Sequence, residues 1–451
     1  MTPTLLPPDC LRWIGVRFRD PNGRTFEYEG GIYRAIYPEK VAHVRGLFDR
    51  GLVADLVGRG WLIESEMTDL EVPGFGLVLR HRRAPFAFTT GPHQWTRQLL
   101  LDAAHVFLDL NFELAAHGLC LADGHSGNFA QVDCCRPVWL DFGSIVPLTD
   151  PTAGLNAMRK HFINPLKLLS HSASAGRVAR TMIREGGLND AEYRALSPQP
   201  ERVLRTLLRA APAIYERARL ARGGDVLQQR RRHLDIAREH LPASFPVIST
   251  KWTGYDKSGA LPANYDGLGP RRAAILAIMQ KLQPRQVIDL ASNSGFFSFM
   301  AARQGAEVFA VDYDEGAIEK LYELARGCGE RISVTSACAD LTRPNPAKPQ
   351  AELVLALALT HHLSLSQHFP FAHIAENLAG YCARALIVEY MPNGLGGVRV
   401  KPDPLPEWYT LEKFMEAFRR HFQSVEVVTY PPENASPRTM VLCEGKKQTP
   451  A

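Results

Sequence analysis

No C-x-x-C pair occurs among the eight cysteines of this 451-residue chain, and Cys134 and Cys135 are neighbours. That spacing argues against a zinc site, and reduced, mostly buried thiols are expected. Long hydrophobic runs are also missing. The longest, Leu353 to Leu359, cannot span a bilayer, and the opening MTPTLLPPDCLRW is broken by prolines and too short for a signal peptide. On these absences a cytoplasmic location is expected. Internal repeats and low-complexity tracts are absent. Neither sign of charge dominates: a net charge of +5 permits an anionic substrate or a membrane-surface encounter without establishing either.

What is present is a 45% hydrophobic, 22% charged composition typical of soluble globular proteins. The length exceeds one ordinary core, so two domains with a helical piece between them are expected. The most informative stretch is QVIDLASNSGFFSFMAARQGAEVFAVD, Gln286 to Asp312. A short apolar run, Val287 to Leu290, reads as a buried parallel strand. The small residues Ala291, Ser292, Asn293, Ser294 and Gly295 break it and lead into a helical pattern. Ala306 to Val311 is a second strand, ending in Asp312. Strand, turn, helix, strand and acid build a nucleotide pocket: small residues let backbone N–H groups approach a ligand, and the acid accepts ribose hydroxyls. No G-x-G-x-x-G marks the turn, which disfavours NAD.

This stretch resembles motif I and its acidic partner in the class I S-adenosylmethionine (SAM) methyltransferases, with Ala291 and Asn293 where the family has glycines. The resemblance implies a Rossmann-like sheet and a SAM site formed by Asp289, Ala291, Ser292, Asn293, Gly295 and Asp312. Asp340, after the third strand, is implied as the adenine contact. The fourth strand, Leu353 to Leu359, is apolar on both faces as a central parallel strand must be. It delivers Thr360-His361-His362 to the carboxyl edge of the sheet, where open α/β sheets bind ligands. A histidine there suits removal of a hydroxyl proton from a methyl acceptor. Either His361 or His362 is expected to face the acceptor. Glu389, at the end of the fifth strand, is expected to orient a histidine or bind sugar hydroxyls. Trp252, Tyr255 and Tyr265 precede this domain and suit either a lid over the pocket or a plug at the base of the sheet.

Nearer the start, a hairpin is expected from Ile14 to Tyr28, a helix from Val41 to Val57, a strand from Gly76 to Arg80 and a longer helix from Gln94 to His117. Asp123 and Asn128 then share a loop, and a strand pair ends in Asp141-Phe142-Gly143. These residues resemble the catalytic and magnesium-binding loops of protein-kinase-like phosphotransferases. The resemblance implies Asp123 acting on an acceptor hydroxyl, with Asn128 and Asp141 holding magnesium against ATP phosphates. The glycine-rich loop and the strand lysine of that family are missing; Arg34 is the cation in a position to replace the lysine. The middle is helical and arginine-rich, and the run Arg230-Arg231-Arg232 reads as a solvated helix face, with nucleic-acid binding the remoter reading.

The expected architecture is therefore α/β: a kinase-like α+β domain at 1–150 with a reduced N-terminal lobe, a helical extension at 151–245, and a Rossmann-like methyltransferase domain at 246–447. The combination resembles bacterial nodulation-type methyltransferases and, with the domain order reversed, O-antigen kinase-methyltransferases. It implies O-methylation of a sugar, glycan or related small molecule, with the first half as acceptor-binding scaffold. The alternative is a bifunctional enzyme that also uses ATP and magnesium. Contact with a membrane-bound glycan assembly is a further implied partnership, and nucleic acid is not an expected partner.

Overall fold

The computed structural model describes residues 4–14, 20–84, 86, 90–197, 210–221, 223–253, 265–343, 348–396, 404–432 and 437–447. Tyr255 lies outside them. Near the start, β1 (Arg12–Ile14), β2 (Gly23–Tyr28) and β3 (Gly31–Ile36) form a meander. After α1 (Val41–Asp49), β4 (Ser65–Met67) and β5 (Leu77–His81) complete an antiparallel sheet in the order β1-β2-β3-β5-β4. The helix expected over 41–57 is broken: Gly51 takes a left-handed φ of 73°, and a second helix, Leu52–Gly58, starts there. Next, α2 (Arg97–Ala116) is capped by the Thr96 side chain, which accepts from the Leu99 N–H, and it buries an apolar face through Leu99, Ala103, Phe107, Leu110 and Leu114. β6 (Leu119–Leu121) and the hairpin β7 (Phe129–Val132) with β8 (Arg136–Trp139) follow.

The helical region contains α3 (Val226–Glu239), and here one expectation fails. Arg230 is fully buried, donating to Asn111 Oδ1 at 2.6 Å and to the Ala153 carbonyl at 2.8 Å. The run Arg230–Arg232 is therefore not a uniformly solvated face. Its first member fastens α3 to α2 and to the chain after β8, a long-range role that charge pattern does not reveal.

The second half begins with α4 (Pro270–Leu282) and continues as β9 (Gln286–Leu290), α5 (Phe296–Arg303), β10 (Glu307–Asp312), α6 (Glu315–Arg326) and β11 (Val334–Cys338). Then come β12 (Ala351–Ala356), α7 (Phe371–Tyr381), β13 (Cys382–Tyr390), α8 (Leu411–Arg419), β14 (Phe422–Val427) and β15 (Thr439–Lys446). The seven strands lie in the order β11-β10-β9-β12-β13-β15-β14, with β15 antiparallel to both neighbours. This is the Rossmann-like arrangement expected, with its closing hairpin. The fourth strand ends earlier than its apolar run, because Ala358 takes a left-handed φ of 50° and turns the chain before the histidines.

The halves share a hydrophobic core that runs from Leu99 and Phe107 to Ile318 and Tyr322. The β7–β8 hairpin docks on the edge strand β11: Cys134 and Cys135 donate N–H groups to the carbonyls of Ile332 and Val334 at 2.8 and 2.9 Å. The Gln131 amide brackets Ser336 as a neighbouring strand would, donating to its carbonyl and accepting from its N–H. Glu319 of α6 accepts the N–H groups of Arg97 and Gln98, supplying the start of α2 with acceptors from across the interface. All eight cysteines are free thiols. Among the described residues no helix is long and apolar enough to cross a membrane.

Candidate active site

The carboxyl edge of the seven-stranded sheet gathers most of the expected residues. After β9 the chain turns through Ala291, Asn293 and Gly295, all left-handed, with φ of 61°, 50° and 86°. Left-handed backbone costs a residue with a Cβ roughly 1 kcal/mol, so this turn is held by its surroundings. Asp312, at the tip of β10, does much of the holding: its Oδ2 accepts the Asn293 N–H at 2.9 Å and its Oδ1 accepts the Asp314 N–H at 2.9 Å. Each oxygen keeps a second lone pair for a ligand hydroxyl. Gly295 is required twice over, since beyond its φ an added Cβ would come within 2.8 Å of the Leu321 side chain. Asp289 is buried, accepts from the Ser298 hydroxyl at 2.7 Å, and burial pushes its carboxyl up to about 7.

A cavity of about 200 Å³ lies against the turn, lined by Asp289, Ala291 to Ser294, Phe296, Phe297, Leu357, Ala358, Arg271, Arg272 and Arg438. Among the described residues the Ser292 hydroxyl, buried in this wall, has no hydrogen-bond partner. The donors and acceptors of this wall, with the Asp312 carboxylate behind the turn at the Asn293 N–H, are of the kinds that the polar groups of SAM would need.

His361 and His362 stand together, ring centroids 4.0 Å apart. His361 is buried with Nδ1 unpartnered among the described residues, and burial, followed by the neighbouring ring and the charges of Arg438 and Lys251, drives it down to about 3. His362 is lowered too, by burial and Lys251. Both are therefore neutral near pH 7 and able to accept a proton. Trp252 lies edge-on to His362 at 5.1 Å, donates its indole N–H to the Tyr313 hydroxyl, and accepts the Asn293 side-chain amide at its carbonyl. It thus bridges the tips of β9, β10 and β12 on the lid side. Tyr265 instead packs edge-on to Phe296 of α5.

Glu389 and Asp340 both have partners that the sequence did not reveal. Glu389 is completely buried, but its carboxylate is taken by Arg271 at 2.5 and 3.0 Å, by Arg438 at 3.3 Å and by the Ala358 N–H at 2.9 Å. It reaches neither histidine, because the two arginines neutralise it first. Asp340 turns its oxygens on the Thr342 N–H and hydroxyl and on Arg343, so it caps its own loop. Sequence reasoning passed over Arg271, Arg272 and Arg438. The available signal was a pair of arginines in the first turn of the helix preceding the motif.

In the first half, Asp123, Asn128 and Asp141 do converge. Asn128 donates to Asp123 Oδ2 at 3.2 Å, and Asp141 faces Arg34 of β3 at 3.5 Å. Burial holds the Asp141 carboxyl above its ordinary value despite that arginine. Arg34 also pairs with Asp20. A cleft of about 260 Å³ between the five-stranded sheet and this loop is lined by Ile32, Arg34, His81, Asn128, Leu140 and Asp141. Asp141 faces a guanidinium here, and among the described residues no group of three or more His, Cys, Asp or Glu could hold a metal.

No protein-family model matches the chain. It is similar to the nodulation protein NoeA of Rhizobium meliloti (strain 1021), 25% identical over 416 residues, which cover 83% of this chain and 84% of that protein. Among solved structures it is similar to the SAM-bound magnesium protoporphyrin IX methyltransferase of Synechocystis PCC 6803, at 16% identity and a TM-score of 0.29 over 39% of this chain and 77% of that one. It is also similar to the kinase-methyltransferase WbdD, at 17% identity and a TM-score of 0.31 over 40% of this chain and 41% of that one.

Proposed function

We propose that this chain is a SAM-dependent methyltransferase that O-methylates a sugar, glycan or related small molecule. The observation that carries the proposal is the left-handed turn from Ala291 to Gly295 tied by Asp312 at the carboxyl edge of the sheet. Similarity to a nodulation protein over most of both chains supports it. When bound, SAM supplies a methyl group on a sulfonium, already a strong donor, so the protein's work is positioning and proton removal. Asp312 and the turn amides hold the nucleoside, and Trp252 helps to exclude water. A neutral His361 or His362 accepts the acceptor's proton. Lys251, whose charge depresses both histidines, also favours the negative charge that develops on the acceptor oxygen. The acceptor class rests on the motif resemblance, as does contact with a membrane-bound glycan assembly.

Titration calorimetry tests the donor assignment. Asp312→Ala should weaken SAM binding about ten- to hundredfold, the worth of hydrogen bonds to a charged group; unchanged affinity removes it. Once an acceptor is found, full activity in both His361→Ala and His362→Ala would dismiss the proton-acceptor role.

A second reading is favoured by the Arg34–Asp141 contact across the first-half cleft: phosphoryl transfer from ATP, with Asp123 acting on the acceptor and Asn128 and Asp141 recruited to magnesium only as ATP binds. Magnesium-dependent ATP binding by the full chain, lost in Asp141→Asn, is its expected signature. No binding leaves the first half a scaffold.

A further inference from the structure

The three arginines lining the cavity beside the Ala291–Gly295 turn are not equivalent. Arg271 and Arg438 are committed to Glu389. Arg272 lies over the ring of Phe296, 4.0 Å from its centroid, and among the described residues no carboxylate pairs with it. A guanidinium resting on an aromatic face keeps its planar fork of N–H donors available, and a carboxylate can take two of them at once.

The rest of the wall has the same preference. The buried Ser292 hydroxyl is without a partner among the described residues. Helices α4 and α5 both start here behind glycines, Gly269 and Gly295, which have no side chain to cap the first-turn N–H groups; such ends favour anions. The competing negative charge is reduced: Glu389 is matched by two arginines, and burial raises the Asp289 carboxyl to about 7, so that it is only partly ionised at neutral pH. The turn that shares this cavity is the one assigned above to the donor.

We propose that Arg272 recognises the carboxylate at the amino-acid end of SAM and makes the pocket selective for molecules that carry that acid. This rests on the methyltransferase reading and adds the residue that anchors one end of the donor. An acidic group on the acceptor would offer the same chemistry, and the experiment separates the two sources.

Calorimetry would compare SAM with decarboxylated SAM, which keeps the sulfonium and the amine, on the full-length wild type, Arg272→Gln and Arg272→Lys. The expected result is a loss of SAM affinity of about ten- to hundredfold in Arg272→Gln, no change for decarboxylated SAM, and partial recovery in Arg272→Lys. Equal losses for both compounds would overturn the proposal by making Arg272 a packing partner of Phe296. Undiminished SAM affinity would also overturn it and leave the acceptor as the source of the anion. A wild type that binds neither compound would instead sink the donor reading, a failure distinguishable from that of Arg272 alone.

Discussion

At Asp289 a carboxyl sits in the core with the Ser298 hydroxyl as its hydrogen-bond donor. Its value of about 7, against 3.8 for an ordinary aspartate, means the folded chain holds this proton where the unfolded chain has released it. The sign follows from linkage: the stabilisation is complete below about pH 4 and is lost as pH rises through about 7. Asp289→Asn keeps an acceptor for Ser298 but cannot ionise. Melting temperatures measured across this range should show the variant gaining on the wild type as pH rises; parallel curves would contradict the assignment. The histidines behave in the opposite sense. With His361 held near 3, the imidazole is already deprotonated at neutral pH, and it is a weaker base than a free histidine.

Among the elements, α2 depends most visibly on a residue outside its own half. Thr96 satisfies one amide, but those of Arg97 and Gln98 end on Glu319 of α6. Glu319→Ala leaves two first-turn donors without acceptors and should lower stability by about 1–3 kcal/mol in urea unfolding, with Glu319→Gln milder. Such contacts explain what could be read from sequence. The sheet strands were legible because burial on both faces makes them apolar throughout, and the turn after β9 because small residues interrupt that pattern. The break at Gly51 was missed because a helical stripe continues on both sides of it. The π-helical turn at His362–Ser366 left no signature in spacing. The pairing of Glu389 with Arg271 and Arg438 in place of a histidine was not legible because those arginines are 118 and 49 residues away in the chain. The fates of Arg230 and Asp340 were likewise settled by partners that periodicity cannot register.

For the molecule as a whole, a core running through both halves and a hairpin hydrogen-bonded to the sheet edge argue that neither half unfolds alone. One calorimetric transition is expected. Saturation with SAM should slow amide hydrogen exchange at Cys134 and Cys135 as well as in β9 and β10, because global opening is the route to both. Protection confined to the second half would show two independently unfolding units. The docking of the β7–β8 hairpin also bears on how the chain behaves at high concentration. A parallel sheet that ends in an open strand is a template for any extended segment that meets it, including the same strand of another copy. Here the backbone of Cys134 and Cys135 and the Gln131 amide occupy that template from within. The first half thus serves as a built-in guard against self-stacking, and cutting it away would yield clumps rather than a smaller working enzyme.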